Sequence, residues 1–401
     1  MELRAPNLND ATNQLLREAG INTGDPPLAA INGAERLAKS IGCLPLAISQ
    51  AASFAKQSHK NLDDVLGLYQ SKHKFEVSFN LPSLVSSMLM NILPGKLLSW
   101  NDNLSSYEQK SVAVTFAIQL DELDRQSPIC SNLLKVLSFF DAENIPLAMI
   151  TDAAEDLQSQ STLDSKSSDV TVLPNLDSLI ALMCSPVQLQ HAIRQLHDFS
   201  LVGYESTQGT IALRIHDLVQ IMIQESTRID GRQDQWFHIA RELACNAFRH
   251  IEDPVSHRCW VQCETLSPHI QNLTKWDDEH SVGNSELDNA NIGLAQYLSS
   301  RGRYDEAELL VGRVLACREK QFGPEHPGAL VAMKNLATVY RLQGRYKEAE
   351  TLYGRVLAGT EKLGPEHPDT LRAMHHLAIV YRLQGKYKEA EHGTGEYLQA
   401  R

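Results

Sequence analysis

The sequence predicts a mainly α-helical chain that contains one β-hairpin and ends in a solenoid of helical hairpins. The solenoid is predicted by the pentapeptide Gly-Pro-Glu-His-Pro, which occurs at Gly323–Pro327 and again 41 residues later at Gly364–Pro368. Each copy is followed by a near-identical segment, LATVYRLQGRYKEAE from Leu336 and LAIVYRLQGKYKEAE from Leu377. Self-similarity at this period is typical of stacked helical hairpins, because one hairpin cannot bury its apolar face alone. Such repeats bind partners more often than they catalyse reactions.

The hairpin is predicted by the one convincing stretch of strand alternation, Leu201–Glu205 and Thr210–Ile215, joined by Ser-Thr-Gln-Gly. A helix over Pro186–Asp198 precedes it, and another begins near His216. Helices flanking a hairpin in this order predict a winged helix-turn-helix. Such a fold often reads DNA, but the candidate recognition helix offers only Arg194 as a fixed cation. We therefore expect no nucleic-acid partner.

The repeat segments also predict how the helical hairpins pack. A weaker first copy, LAQYLSSRGRYDEAE, begins at Leu294, 42 residues before Leu336. Small residues at the tight positions allow close helix contact, namely Ala295, Ala337 and Ala378 on the first helix, and Ala307, Ala349 and Ala390 on the second. Four tyrosines, Tyr340, Tyr346, Tyr381 and Tyr387, are expected to fill the gaps. The third copy has Gly393, Thr394 and Gly395 where its second helix should continue, so we expect an incomplete last repeat.

Composition excludes several classes of function. The formal net charge of −12 argues against general affinity for nucleic acid or for an anionic membrane surface. No apolar run reaches 18 residues, and the N-terminus lacks the apolar core of a secretory signal. The seven cysteines form no Cys-x-x-Cys pair, so reduced thiols are expected and no metal site is indicated. We expect a cytoplasmic protein with no membrane partner.

Helical periodicity organises the remainder of the chain. Helices are predicted over Ala11–Ala19, capped by Asn7 or Asn9, over Ala29–Ile41, and over Ile48–Ala55 with Pro45 in the first turn. A further helix is predicted to begin at Asn144-Ile145-Pro146, and the polar segment Gln158–Asp169 is predicted to be a loop. Three tryptophans are expected in the core of a helical connector, namely Trp236, Trp260 and Trp276.

Three landmarks in fixed order give the chain a family resemblance. They are Gly42-Cys43-Leu44-Pro45-Leu46-Ala47, then Ile215-His216-Asp217 directly after the hairpin, and then the C-terminal repeats. Together they resemble the NB-ARC class of STAND nucleotide-switch ATPases, in the fungal form with a tetratricopeptide (TPR) tail. The repeats are most similar to those of kinesin light chains. The first landmark matches the GxPLA motif of the family, and the second matches its Met-His-Asp motif with Ile in place of Met.

The resemblance implies a residual nucleotide site at Pro45 and His216. In the family the proline packs on adenine and the histidine contacts the β-phosphate of ADP. An imidazole N–H is a good phosphate donor, and a proline ring offers an apolar face. The alternative interpretation is that Pro45 begins a helix and His216 caps one, with Asp217 in its first turn.

The chain departs from the family at the phosphate-binding elements. No Gly-x-x-x-x-Gly-Lys-Ser/Thr motif occurs, and Leu62-Asp63-Asp64 does not follow an apolar strand. We therefore expect no enzymatic activity and no cofactor, with ADP or ATP bound only if a complete nucleotide-binding domain is supplied. The chain would be a truncated member of the family, or a short form specialised as its sensor half.

The first helix of each repeat is predicted to line a concave groove that binds a peptide. The residues expected to face this groove are Lys334, Asn335, Thr338, Arg341, His375, His376 and Arg382. Asn335 matches the position from which related repeats hold a peptide backbone. Long donors on a rigid wall suit an extended peptide with carboxylates or exposed carbonyls. The alternative for each residue is a solvated helix face.

These observations give a domain plan and two functional hypotheses. Residues 1–104 are predicted to form a helical ARC-like region, the candidate surface for self-association, and 105–232 a winged-helix-like domain. A helical connector over 233–285 is followed by about three TPR repeats over 286–401. The first hypothesis is a sensor portion of a STAND-type signalling protein whose repeats bind a protein partner. The alternative is a plain TPR adaptor, resembling kinesin light chain, with no nucleotide link.

Overall fold

The computed structural model describes residues 7–21, 26–78, 106–163, 175–207, 210–280 and 285–391. The chain divides into two compact units, Met1–Ala240 and Arg241–Arg401. Both units are mainly helical, and the first also contains a small three-stranded sheet. Among the described residues, no helix has the length and apolar character needed to cross a membrane.

The first unit opens with four helices whose ends follow local sequence signals. They are α1 (Leu8–Glu18), α2 (Leu28–Ser40), α3 (Pro45–Ser58) and α4 (Leu62–Ser78). The Asn7 side chain caps α1 by accepting a hydrogen bond from the Asp10 backbone N–H at 2.9 Å. Pro45 occupies the first turn of α3, where the missing N–H costs nothing. The predicted first three helices are thus confirmed, with Asn7 as the cap.

The remainder of the first unit packs further helices around the sheet. The elements are α5 (Ser106–Gln126), α6 (Pro128–Leu137), β1 (Ile145–Pro146), α7 (Leu147–Leu163), α8 (Leu176–Cys184), α9 (Pro186–Asp198), β2 (Val202–Thr207), β3 (Thr210–Ile215) and α10 (Asp217–Ile229). Aromatic side chains fill the core, with Phe54, Phe116, Phe139, Phe140, Phe199 and Phe237 almost completely buried.

The predicted hairpin is confirmed, and a third strand joins it. β2 and β3 are antiparallel, with Val202 opposite Ile215 and Thr207 opposite Thr210. β1 pairs with the other edge of β3, so the strand order is β1-β3-β2. The prediction of a helix start at Asn144-Ile145-Pro146 is therefore wrong by two residues. Ile145 is fully buried in the ladder opposite Leu213, and the helix begins only at Leu147.

Hydrogen bonds between buried polar groups join α3, α5 and Ser200, which lies just before β2. The Gln50 amide donates to the Ser200 carbonyl oxygen at 2.7 Å, and the Gln119 amide donates to the Gln50 carbonyl oxygen at 2.7 Å. The hydroxyl groups of Ser53 and Ser200 lie 2.6 Å apart. Ser200 has a left-handed backbone, φ 55°, which turns the chain from α9 into the sheet.

α11 (Gln233–Arg249) contains the boundary between the two units, and the second unit continues as helices in pairs. They are α12 (Trp260–His280), α13 (Ser285–Ser300), α14 (Tyr304–Phe322), α15 (Pro327–Leu342), α16 (Tyr346–Thr360) and α17 (Pro368–Leu383). Short 3₁₀ turns lie at His257–Cys259 and Glu361–Leu363, and residues 387–391 are again helical. From α13 onward each helix packs against the next.

The repeated Gly-Pro-Glu-His-Pro segment forms the turn and the N-cap at which the next helix begins. Its glycines, Gly323 and Gly364, have φ values of 87° and 112°, which favour glycine. Its histidine caps the following helix, because His326 Nδ1 accepts from the Gly328 backbone N–H at 3.1 Å. His367 Nδ1 accepts from the Asp369 N–H at 3.2 Å in the same way. The final proline then occupies the first helical turn.

The predicted close packing of the repeats is confirmed by the alanines. All six are buried, namely Ala295, Ala337, Ala378, Ala307, Ala349 and Ala390. Ion pairs link successive repeats as well, since Arg345 donates to Glu308 at 2.9 Å and Lys386 donates to Glu350 at 2.9 Å. Arg303 donates to Glu264 at 3.4 Å in the equivalent place.

Several packing expectations are wrong. The predicted loop Gln158–Asp169 begins as helix, since α7 continues to Leu163, and 164–169 lie outside the described residues. Trp236 is buried, but Trp260 and Trp276 are only partly covered. Arg301 lies over the Trp260 ring at 4.3 Å, and His280 stacks on Trp276 at 3.8 Å.

The fourth repeat tyrosine departs from prediction too. Tyr387 is exposed, whereas Tyr346 packs against a core cluster that includes Val380 of the next repeat. Tyr346 is therefore covered in part by the repeat that follows it. The expected helix break at Gly393, Thr394 and Gly395 lies outside the described residues.

Candidate partner-binding surface

The residues predicted to bind a partner lie on α15 and α17, with α16 between these helices in the chain. On α15 the Thr338 hydroxyl donates to the Lys334 carbonyl oxygen at 2.9 Å and lies 2.8 Å from the Tyr353 hydroxyl. Tyr353, on α16, is completely buried. Its ring stacks on the His376 imidazole of α17, with centroids 5.3 Å apart and planes 9° apart. The Tyr353 ring thus joins the predicted residues of two repeats into one site.

Two buried nitrogens in this site lack partners. Arg341 Nε and His376 Nδ1 are inaccessible to solvent and make no hydrogen bond with any described residue. A buried polar atom without a partner costs free energy, so native proteins rarely leave one unexplained. Both residues contact the Tyr353 side chain, His376 by ring stacking and Arg341 by a hydrogen bond. We call Lys334, Arg341, Tyr353, Arg372, His375 and His376 together the Tyr353 site.

Positive charge dominates the Tyr353 site. Burial and then the nearby charge of Arg372 lower the pKa of the Lys334 ammonium, and Asp369 opposes that shift. Burial, followed by the charges of Lys334, His375, Arg341 and Arg372, lowers the pKa of His376 to about 4. The imidazole is therefore neutral near pH 7. Asp369, the carboxylate that acts on Lys334, is shared with Arg372, which donates to it at 2.7 Å.

Asn335 was predicted to face a peptide, but most of its side chain is buried between two repeats. It is only 8% exposed, and its amide donates to the Val331 carbonyl oxygen at 2.8 Å. Its side-chain oxygen accepts from the Gln296 amide of the preceding repeat at 3.1 Å. Asn335 therefore holds two repeats together and keeps one amide hydrogen for another acceptor.

The two remaining predicted residues, both on α17, lie at the surface of the helix. Arg382 and His375 are exposed, and the His375 ring lies 5.9 Å from that of His376. The structure thus brings Lys334, Thr338, Arg341, His375 and His376 into contact with one site. It places Arg382 six residues beyond His376, in the last turn of α17.

Sequence reasoning missed Tyr353 and Arg372 as parts of this site. Tyr353 is buried, and its hydroxyl and stacked ring also contact polar groups of two repeats. Arg372 lies three and four residues before His375 and His376 on one helix face. This spacing could have identified Arg372 as part of the site, because residues three and four apart are neighbours on the surface of a helix.

The residues of the implied nucleotide site lie on α3 and directly after β3. Pro45 is exposed at the start of α3. His216 lies between β3 and α10, with its ring 6.5 Å from the Phe116 ring of α5. Burial lowers the pKa of His216, and the nearby Arg214 adds to that effect, while Asp217 and Glu143 oppose it. α3 and α5 also meet through Gln50 and Gln119.

Comparison with known proteins places these surfaces in context. Residues 286–362 and 350–392 match the family model described as tetratricopeptide repeat. A nucleotide-binding leucine-rich repeat (NLR)-like protein of Hyaloscypha variabilis is 25% identical over 302 residues. That match includes 75% of this chain and 25% of the relative, so the chain spans about a quarter of the relative's length.

Two solved structures match part of this chain. The nearly identical TPR-like repeats of a protein described as a kinesin light chain from Podosopora anserina match at 19% identity, with a TM-score of 0.31. This match covers 44% of the present chain and 91% of the other. BtubC (BKLC) from P. vanneervenii matches at 13% identity with a TM-score of 0.35, covering 64% and 91%. The family-model match shows that the C-terminal region is built of TPR repeats, whose stacked helices serve as a scaffold for protein interaction.

Proposed function

We propose that the TPR repeats bind an extended acidic segment of a protein partner across the Tyr353 site. The observation that carries this proposal is the convergence of Lys334, Arg341, Arg372 and His375 around the His376 ring, which stacks on the buried Tyr353. Ammonium and guanidinium donors on rigid helices suit carboxylate oxygens, because charge-assisted hydrogen bonds are roughly twice as strong as neutral ones. The two partnerless nitrogens gain acceptors when such a group binds.

We further propose that this binding is the sensing step of a STAND-type signalling protein. Three features support the assignment: the GxPLA-like segment at Pro45, the Ile215-His216-Asp217 triplet, and the order helix, strand, helices, strand, strand around them. That order, from α6 through β3, with three helices between β1 and β2, supports a winged-helix-like domain. The relative described as NLR-like supports the same class. The first unit would then relay partner binding to a nucleotide-switch domain.

The alternative is a plain TPR adaptor with no nucleotide link. The two hypotheses differ in what the first unit does, because an adaptor has no use for Pro45 or His216. Binding of fluorescent ADP by the chain together with a supplied P-loop domain of this class separates them. The sensor hypothesis predicts that His216→Ala weakens ADP binding. The adaptor hypothesis predicts that the chain contributes nothing to ADP binding, so that His216→Ala has no effect.

Selection of peptides tests the binding proposal. We expect the full chain to enrich Asp- and Glu-rich sequences from a random displayed peptide library. The double variant Lys334→Gln, Arg341→Gln should lose this enrichment. Its matched control is Lys347→Gln, Lys388→Gln, which removes the same charge from exposed positions on the second helices of the repeats. Enrichment of uncharged sequences, or equal enrichment by both double variants, would contradict the proposal.

Asn335 is a poor target for this test. It is buried and bonded to Gln296 and Val331, so its replacement removes contacts between repeats. We expect a cost of about 1 kcal/mol in unfolding free energy from the lost hydrogen bonds alone. A loss of binding in an Asn335 variant would therefore mix stability with recognition. Lys334 and Arg341 are better targets, because neither forms a salt bridge with another repeat among the described residues. Arg341 does hydrogen-bond the Tyr353 side chain of its own repeat, so the unfolding free energy of the variant must be measured alongside its binding.

A further inference from the structure

His376 occupies an unusual electrostatic position in the Tyr353 site. One ring face stacks on Tyr353, and Nδ1 is buried without a hydrogen-bond partner among the described residues. Lys334 and Arg341 act on it from α15, and Arg372 and His375 act from its own helix. α16 contributes the Tyr353 hydroxyl, and Asp369 supplies negative charge at the start of α17.

This arrangement disfavours a proton on His376 in the empty site. A protonated imidazole would add a fourth positive charge to those of Lys334, Arg341 and Arg372, in a position shielded from water. An anionic group bound among the same cations reverses the balance, because it attracts the proton that the cations repel. Nδ1, which lacks a partner in the empty site, would then carry a proton and donate a hydrogen bond to the anion. The imidazole is therefore expected to be neutral in the empty site and protonated when an anion is bound.

We propose that the Tyr353 site binds an anionic oxygen group together with a proton, which His376 takes up from solvent. The proposal rests on the acidic-peptide function above and gives that function a pH dependence. A carboxylate of a peptide and a free oxyanion share the chemistry that the site recognises. Acidification strengthens binding, and binding raises the pKa of His376 by the same coupling free energy.

The expected size of the effect follows from the linkage between protonation and binding. In the empty site the pKa of His376 is about 4. If the anion restores an ordinary histidine pKa of about 6.5, affinity rises about tenfold between pH 7.5 and pH 5.5. In this window a carboxylic acid side chain remains largely ionised. The ligand's own titration therefore contributes little.

Sulfate is the best probe because it stays a dianion throughout this pH range. The full chain is labelled with ¹³C at histidine Cε1, and the His376 signal is assigned from its absence in His376→Gln. We expect saturating sulfate to raise the pKa of His376 from about 4 to about 6.5. We also expect sulfate to bind about tenfold more tightly at pH 5.5 than at pH 7.5.

Two single variants separate His376 from its exposed neighbour. His376→Gln should bind sulfate with little dependence on pH, whereas His375→Gln should keep most of the dependence. An unchanged His376 pKa at saturating sulfate would overturn the proposal and mark the ion as adventitious only. Retention of the full pH dependence in His376→Gln would overturn it as well.

The outcome is distinguishable from failure of the proposed function. If acidic peptides bind through Lys334 and Arg341 with the same affinity at pH 5.5 and pH 7.5, the binding surface stands and proton coupling is wrong. If Lys334→Gln, Arg341→Gln binds sulfate and selected peptides as the wild type does, the surface itself is wrong.

Discussion

One repeat position shows how a single residue decides between packing and recognition. Leu294, Leu336 and Leu377 align the repeats, so Gly293, Asn335 and His376 are equivalent. In the first repeat a side-chain carbon at Gly293 would lie 2.5 Å from the Phe248 ring. In the second, Asn335 bonds to the preceding repeat, and in the third, His376 stacks on Tyr353. The position therefore serves close packing in the first repeat, contact between repeats in the second and the proposed binding site in the third.

The close approach of Phe248 predicts that Gly293→Ala destabilises the second unit. Phe248 is buried, so its ring must shift to admit a methyl group, at a cost of about 1–3 kcal/mol. Gly354 is the matched control, because a side-chain carbon there would meet nothing within 4 Å. Gly354→Ala should stabilise its helix by about 0.5–1 kcal/mol. Urea unfolding of both variants measures the difference, and equal stability would contradict the packing described.

The low pKa of His376 predicts an acid-sensitive contribution to stability. Its folded pKa, about 4, lies below the usual histidine value, so the unfolded chain takes up a proton first as pH falls. The stabilising contribution is complete above about pH 6.5 and is lost progressively towards pH 4. His376→Gln should therefore lose less Tm between pH 7 and pH 5 than the wild type or His375→Gln. A loss equal to that of the wild type would contradict a buried, neutral imidazole.

At the scale of the element, helix starts determine the register of the repeats. His326 and His367 each accept a backbone N–H at the start of a helix, and Pro327 and Pro368 follow in the first turn. We expect His326→Ala to cost about 1 kcal/mol in unfolding free energy, because the cap is lost. His326→Asn should recover most of that stability, since asparagine is a preferred cap. Thermal unfolding of the pair checks this, and equal losses would show that the imidazole does not act as a cap.

The elements that sequence predicts well are those with a repeated or periodic signal. The hairpin follows from alternation over two strands, and the buried alanines follow from three aligned copies. β1 was missed because two residues carry no period, and Ile145-Pro146 resembles the start of a helix. The burial of Tyr387 was misjudged because the neighbouring repeat, and not the tyrosine's own helix, covers this position.

The candidate site was only partly predictable for a related reason. The pattern along the first helix of each repeat identified Lys334 and Arg341 on α15 and His375 and His376 on α17. It did not reveal that Tyr353 of α16 joins the two helices. Contacts between α15, α16 and α17 depend on how repeats stack, which a local pattern does not encode. The same stacking gives Asn335 a structural partner in Gln296.

At the scale of the whole molecule, the two units have different proposed tasks. The boundary between them falls after Ala240, inside α11. The finer divisions at residues 104, 232 and 285, and self-association through the ARC-like region, stay predictions. The TPR repeats form a protein-interaction scaffold, and the first unit carries the segments that resemble a nucleotide switch.

The sequence of the chain predicts no ATP turnover by the purified protein. Its 401 residues contain no Gly-x-x-x-x-Gly-Lys-Ser/Thr segment to hold the phosphates and their magnesium ion. We expect phosphate release equal to that of the buffer blank, and the same result for His216→Ala. Hydrolysis that co-purifies with the wild type and persists in His216→Ala would reveal a catalytic site elsewhere in the chain.

The central claim is that the Tyr353 site binds acidic peptide, and an affinity measurement tests it most directly. Fluorescence anisotropy with a selected acidic peptide should give a Kd of about 1 μM for the wild type at low salt. Affinity should fall as ionic strength rises, because the contacts are partly ionic. Lys334→Gln, Arg341→Gln should weaken binding about tenfold or more, as expected for lost charge-assisted hydrogen bonds, and Lys347→Gln, Lys388→Gln should leave it unchanged. Equal affinities for the two double variants would contradict the account.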